Sequence, residues 1–259
     1  MRWPVIECDE LDSSNSEAQR RIAAGQLEGT WITARHQAAG RGRSGRKWQS
    51  LDGNLFASLL LPLHCPLTVL HHLSLVSGLA LRNALRNSSK ASGIELKPLL
   101  KWPNDVLIED AKLAGILIES SIVGDCALAI IGIGVNIQAA PQLADRRTSS
   151  LVDYEVNTTP KELLVILDEA LSVEIERWDS GAGFHLIRED WLKHSFYFGH
   201  PISINTAKAR VEGEFAGLDK DGALLIRTTE GNIEHFHFGD VAVGARQRRA
   251  QTGKQSTLE

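Results

Sequence analysis

Apolar positions along this chain follow three rhythms, and each predicts a different kind of element. Near the N-terminus, Ser14-Asn15-Ser16-Glu17 precedes AQRRIAAG. That order predicts a helix capped by Ser14, with Glu17 reaching back and Gly25 at its stop. A short strand follows over Trp31-Ile32-Thr33-Ala34, then a Gly/Arg-rich loop at about positions 38 to 47. NLFASLLLPL reads as a buried strand ended by Pro62, and from Leu67 to Arg86 the apolar residues return to helical spacing. The middle of the chain is β-rich: IELKPLLKW approaches Pro103, KLAGILIES is a strand pattern, and CALAIIGIGVNI is apolar throughout. Runs that apolar belong to strands covered on both faces.

Thr159-Pro160-Lys161-Glu162 opens the plainest helix, with a cap, a first-turn proline and a capping-box glutamate. It runs to about Trp178, and a further helix spans roughly Phe184 to Phe196. After Gly199 the pattern alternates through ISINT, ARVEGEFAGLD, GALLIRTT and NIEHFHFGDV, with turn signals at Asp221-Gly222 and Glu230-Gly231-Asn232. A module of about 45 residues suits a small barrel. The expectation is an α+β protein: a mixed β-sheet domain flanked by helices over residues 1–198, an all-β barrel over 199–245 and a disordered polar tail over 246–259.

Composition narrows the class. The 259 residues are 43% hydrophobic and 23% charged, with a net charge of −4, which excludes disorder, collagen and disulfide scaffolds. No apolar stretch reaches the roughly 20 residues that cross a bilayer, and the N-terminus turns acidic where a signal peptide would be apolar. No membrane is expected as a partner, and the cytoplasm is the expected compartment. Cys8, Cys65 and Cys126 are scattered and form no C-x-x-C pair, so reduced buried thiols are expected. Histidines cluster at His71-His72 and at His235 and His237; the second pair lies two apart in an alternating segment, where both could face one side of a strand, and with no third ligand nearby solvated strand histidines are expected rather than a metal site.

The least ordinary stretch is Gly40-Arg41-Gly42-Arg43-Ser44-Gly45-Arg46-Lys47-Trp48. It matches G-x-G-x-x-G, but the dinucleotide motif needs a helix directly after it, and KWQSLDGNLF has no helical spacing. A Walker loop fails as well, because Arg46 and Lys47 follow Gly45. Bare glycine N–H groups and four cations point to an anionic ligand. Mutual repulsion should leave the empty loop mobile, and a bound anion should order it. A nucleic-acid patch and a plain solvated loop remain alternatives, although the net charge of −4 disfavours broad nucleic-acid binding.

Two further segments bring polar groups to strand ends. Lys101-Trp102-Pro103-Asn104-Asp105 gathers a cation, an aromatic ring and two short polar groups, which ordinary turn chemistry would also explain. Lys112 stands at the mouth of KLAGILIE, where Gly115 allows close backbone approach; alone it would read as a surface charge.

Taken in order, Ser13-Ser14-Asn15, the loop from Gly40 to Trp48, Lys101 to Asp105, Lys112 to Glu119, and Gly132-Ile133-Gly134-Val135-Asn136 resemble the motifs of the biotin protein ligases. The match runs over most of the first 200 residues, and the final module looks like that family's SH3-like C-terminal domain. Ser14 stands where the family usually has Thr, a loss of one methyl with the hydroxyl kept. Because the chain starts almost at these motifs, it looks like the type without the N-terminal DNA-binding domain, so no DNA partner is expected.

The resemblance implies activation of biotin with ATP, helped by Mg2+, to biotinyl-5′-AMP. Transfer to a lysine of a biotin carboxyl carrier domain of a carboxylase follows. It implies that Ser13, Ser14, Asn15 and Gln37 border the biotin head, and that Gly40, Arg41, Gly42 and Arg43 hold its carboxylate and the α-phosphate. Lys112 would bridge those oxygens, with Gly115, Ile116 and Leu117 along the valeryl chain. Arg46, Trp48, Asn104, Gly132 and Asn136 fall to the nucleotide, and Asp105 to the incoming lysine. The metal ligands, and whether the protein is a monomer or a homodimer, stay open. So do a lipoate–protein ligase, a nucleic-acid-binding module and an inactive adaptor as rival readings.

Overall fold

The run from Ala127 to Val135 lies at the centre of a seven-stranded sheet. The computed structural model describes residues 1–123, 126–197, 200–205 and 210–243. They form two units, Met1–Phe196 with Lys220–Gly222, and Tyr197–Asp219 with the residues from Ala223 onward. The tail expected from Arg246 and the boundary expected at 198/199 lie outside the described residues.

In the first unit the strands are β1 (Val5–Leu11), β2 (Thr30–Gln37), β3 (Leu55–Leu63), β4 (Leu99–Lys101), β5 (Asp105–Ile108), β6 (Ala111–Val123) and β7 (Cys126–Val135). Their order is β1-β2-β3-β7-β6-β5-β4. Only β1 and β2 are parallel, and helix α1 (Ser14–Ala23) joins them. The other helices are α2 (Leu73–Ala91), α3 (Pro160–Trp178) and α4 (Phe184–Lys193).

The sheet has helices on both faces, which is why β7 shows no alternation. On one face Ala18 and Ile22 of α1 pack against Ile32, Leu60, Leu128 and Ile130. On the other, α2 and α3 pack on each other and on the strands. Gly78 of α2 brings its backbone close to Leu100, Ile116 and Trp191. Each fully buried Leu or Ile contributes about 1.5–3 kcal/mol. That core supports a buried polar patch elsewhere on the sheet.

Several expectations change. Ser13, not Ser14, is the N-cap of α1, and no side chain caps that helix. Glu17 pairs with Arg20 and Arg21 instead of reaching back. β3 runs one residue past Pro62, staying in register with β7 after its pairing with β2 has ended at Leu60. Strands β1 and β5 have no counterpart in the expected pattern: β1 is interrupted by Glu7, Asp9 and Glu10, and β5 is only four residues long. Cys8 and Cys65 are partly exposed thiols rather than buried ones. The capping box at Thr159 and Glu162 forms as expected.

The second unit is an antiparallel sheet of β8 (Pro201–Asn205), β9 (Arg210–Leu218), β10 (Leu224–Thr228), β11 (Ile233–Phe236) and β12 (Asp240–Val243), ordered β11-β10-β9-β8-β12. Ile202, Ile204, Leu224 and Ile226 form its interior. The segment expected as one strand, NIEHFHFGDV, splits before Gly239, whose φ of +142° suits glycine. His235 is exposed on β11 and bonded to Asp219, while His237 lies beyond the strand, so the two do not share it.

The buried His72 ties acidity to stability. Its ring stacks on Phe184 with centroids 3.6 Å apart, and its Nδ1 accepts from Trp178 Nε1 at 3.2 Å. Burial pushes its pKa from 6.5 down to about 4, the neighbouring His71 adds to the fall and Asp221 opposes it. A proton on Nδ1 would also face the indole donor. The unfolded chain therefore takes up a proton that the native one refuses, and stability should fall as pH drops from 6.5 towards 4. In urea unfolding, His72→Gln should flatten that acid slope; parallel slopes for both proteins would contradict the assignment.

Candidate active site

The face of the sheet under the start of α1 carries almost all of the expected site residues, and cross-strand pairing explains why. Ile32, Ser58, Gly132 and Leu117 stand opposite one another across β2, β3, β7 and β6. The next row is Phe56, Gly134, Gly115 and Asp105. Directly opposed residues share a face. The middle of this face is therefore paved with glycine.

What occupies the cleared space is specific. A Cβ on Gly132 would stand 2.2 Å from Asn15 Oδ1, and one on Gly134 would stand 2.5 Å from the Trp48 ring. A Cβ on Gly115 would meet Trp48 at 3.0 Å and Lys112 Nζ at 3.1 Å. Asn15 and Trp48 thus lie directly on strand backbone.

Asn15 and Ser14 share the buried stripe of α1 with Ala18 and Ile22, so one helix face is polar at its start and apolar beyond. Gln37 Oε1 accepts from the Ser14 N–H at 2.8 Å, and Ser14 Oγ lies 2.7 Å from Ser58 Oγ. The Ser58 hydroxyl lies 2.5 Å from Asn15 Oδ1, and Asn15 Nδ2 donates to Glu119 Oε2 at 2.7 Å. A buried polar group without a partner costs about 1–3 kcal/mol, so this chain of contacts is what lets the patch exist. The helix-cap explanation of Ser14 fails, because Ser14 does not cap α1.

The loop is a hairpin. Gly42 N donates to Arg46 O at 2.7 Å and Trp48 N to Gly40 O at 2.9 Å, with Ser44 and Gly45 left-handed at the tip. Its cations are held apart: Arg41 Nη2 donates to Glu119 Oε2 at 3.1 Å, and Arg43 Nη1 to Asn104 Oδ1 at 3.2 Å. Asn104 is fixed in turn, donating from Nδ2 to Ile116 O at 2.7 Å while its own carbonyl accepts from Ile116 N at 2.9 Å.

Lys112 reaches this face through a β-bulge. Strand alternation from Gly115 would turn Lys112 away, but the β5–β6 register shifts between Val106 and Leu107. Its ammonium lies 2.6 Å from Asp105 Oδ1 and 5.4 Å from the centre of the Trp48 ring. Its backbone is held by Arg147 and Ser149, and Asn136 Nδ2 fixes Ser149 O at 3.0 Å.

Two expected residues sit differently. Ile116 turns its side chain to the α2 face, and Asn104 takes up both of its backbone polar groups. Asn136 is buried, and its Nδ2 donates to Ser149 O. Sequence reasoning missed Ser58, although it is the one hydroxyl in an apolar strand run. It also left out Glu119, which ends the KLAGILIE segment.

Comparison with known proteins settles the family. The Biotin/lipoate A/B protein ligase family matches residues 10–136, and the Biotin protein ligase C terminal domain matches residues 197–244. The chain is 37% identical over 230 residues to a biotin--[acetyl-CoA-carboxylase] ligase of Paracoccus denitrificans, covering 85% of this chain and 92% of that protein. The chain belongs to the biotin protein ligase family. It is also 31% identical over 245 residues to the bifunctional ligase/repressor BirA of Escherichia coli, across 92% of this chain and 73% of that one. A biotin protein ligase from Aquifex aeolicus solved with biotin and ATP superposes with a TM-score of 0.77 at 28% identity, covering 94% of this chain and 99% of the other.

Gly134→Ala should force the Trp48 indole off the strand pair. Tryptophan emission, compared with Trp48→Phe carrying the same change, should shift to the red only when Trp48 is present. An unshifted spectrum would contradict the packing.

Proposed function

We propose that this protein joins biotin to ATP, forming biotinyl-5′-AMP and pyrophosphate, and then passes the biotinyl group to a lysine of the biotin carboxyl carrier domain of a carboxylase. Family membership supports this, and the C-terminal match and the named relatives favour biotin over lipoate as the acid. The observation that carries it is the Lys112–Asp105 pair, 2.6 Å apart against Trp48 and set on a glycine-paved face. Joining two anions needs fixed positive charge in a partly dry site, and transferring the product to an amine needs a carboxylate beside it.

The polar patch of Ser13, Ser14, Asn15 and Gln37 takes the bicyclic head, whose ureido group needs both donors and acceptors. Gly40, Arg41 and Gly42 close over it as loop backbone, since the Arg41 guanidinium is engaged by Glu119. Leu117 and Gly115 flank the valeryl chain, and Ile116 serves by holding Asn104. Arg43 and Lys112 receive the carboxylate and the α-phosphate. Trp48, Arg46 and Asn104 lie to the nucleotide side; Gly132 belongs to the biotin side under Asn15. Asn136 acts at one remove, steadying the segment that grips Lys112.

In the first step a biotin carboxylate oxygen forms a bond to the α-phosphorus as the bond to the β-phosphate oxygen breaks, and pyrophosphate leaves. Lys112 and Arg43 stabilise the charge gathered on the α-phosphate oxygens. In the second, an acceptor lysine attacks the carbonyl carbon of the mixed anhydride and AMP leaves. A free lysine has a pKa of about 10.4, so its ammonium must give up a proton, and in this reading Asp105 takes it.

Mg2+ is part of the proposal only as a companion of the triphosphate, whose charge it would neutralise. Among the described residues no three His, Cys, Asp or Glu side chains gather to hold a metal. The two carboxylates at the site are engaged by Lys112 and by Asn15 with Arg41. Such a donor set suits an ion held mainly by phosphate oxygens. No helix of the described residues is long and apolar enough to cross a membrane. The dependence on ATP and on a carboxylase puts the proposed work in the cytoplasm.

Biotin-dependent exchange of labelled pyrophosphate into ATP tests the whole reading, and its absence would refute it. Lys112→Ala should cut that exchange by about 10²–10³-fold with the fold intact. With synthetic biotinyl-5′-AMP supplied, Asp105→Asn should slow transfer to the acceptor more than it slows exchange; equal losses would make Asp105 structural.

A further inference from the structure

We propose that Glu119 is a positioning residue that latches the cationic hairpin onto the biotin pocket, so that its charge governs how long the adenylate is retained. This rests on the ligase reading above. Glu119 ends the KLAGILIE segment and stands on β6 two residues beyond Leu117, on the same face as the site. One oxygen, Oε2, accepts from two elements far apart in sequence: Asn15 Nδ2 of α1 at 2.7 Å and Arg41 Nη2 of the hairpin at 3.1 Å.

The two ends of this bridge are unequal. Asn15 is 3% exposed, lies on Gly132 and is held at its amide oxygen by the fully buried Ser58. Arg41 sits at the root of the hairpin, and its side chain is 42% exposed. Glu119 is therefore fixed from the pocket side and works on the loop side. An isolated exposed ion pair would do little. Here the carboxylate is already oriented by a buried amide, so Arg41 loses less freedom in meeting it.

The bridge also gives the hairpin a resting place for a cation that its neighbours would repel. Arg41, Arg43, Arg46 and Lys47 lie within seven residues. Glu119 takes the first and Asn104 accepts from the second. With Arg41 neutralised at the root, the hairpin can close over an anion while Arg43 faces it. Glu119 touches neither reacting atom; it acts through Arg41 and Asn15.

Glu119→Gln separates the two contacts. The amide oxygen still accepts from Asn15, and only the charge that holds Arg41 is lost. The variant should keep the biotin KM in the exchange reaction, yet release preformed biotinyl-5′-AMP about 3–10-fold faster in a chase with unlabelled adenylate. In an Arg41→Ala background the same change should add nothing to the release rate. Thermal unfolding of the purified variants reports any loss of fold separately. Release from Glu119→Gln as slow as from the parent protein would overturn the latch, as would an equal acceleration with Arg41 absent. Failure of the parent protein to form any adenylate would instead overturn the ligase reading itself.

Discussion

Close contact between side chains and bare strand backbone is the constraint on which the site depends. Asn15 rests on Gly132, and Trp48 rests on the Gly115–Gly134 pair. A methyl group at Gly132 or Gly134 would overlap its occupant by more than ordinary packing tolerates. Helix, hairpin and sheet meet at these three positions. The glycines act here through lack of volume, a different use from the left-handed turn at Gly45.

The second constraint is that the polar patch must satisfy itself. Gln37, Ser14, Ser58, Asn15, Glu119 and Arg41 form a continuous run of polar contacts from buried sheet to exposed loop. Ile32 stands at the end of the Ser58–Gly132 row and Leu60 and Ile130 in the next row of the same face, so the polar run is bordered by firm apolar packing. Such a network holds its members in one geometry, because any rearrangement leaves a buried donor or acceptor unmatched.

Charge is distributed along the same logic. Lys112 is paired with Asp105, Arg41 with Glu119, and Arg43 with the amide of Asn104. A cluster of cations is thereby kept folded, each directed by a partner fixed to the sheet. An anion entering this site meets oriented donors rather than a repelling, unordered loop, which is the economy of preorganised electrostatics. The pairing of Lys112 with Asp105 further sets a cation and a carboxylate side by side on this face.

The elements with strong local signals were legible: the Thr159 capping box, the long apolar strands and the alternating C-terminal strands. So were the five motif segments, because glycine, arginine and lysine in those spacings serve few purposes besides this one. Partnerships were not legible. Ser14 reads as a helix cap until Gln37 and Ser58, distant in sequence, claim it. Asn136 gives no local sign that its Nδ2 donates to Ser149 O. Ile116 sits between two site residues, but strand alternation turns it to the other layer, whereas a bulge brings Lys112 back to the site. The sequence by itself determined the element types, the chemistry available and the family, since propensity, periodicity and motif spacing are local. The tertiary structure alone decided which residues face one another, because register, bulges and long-range hydrogen bonds arise only when distant strands pair.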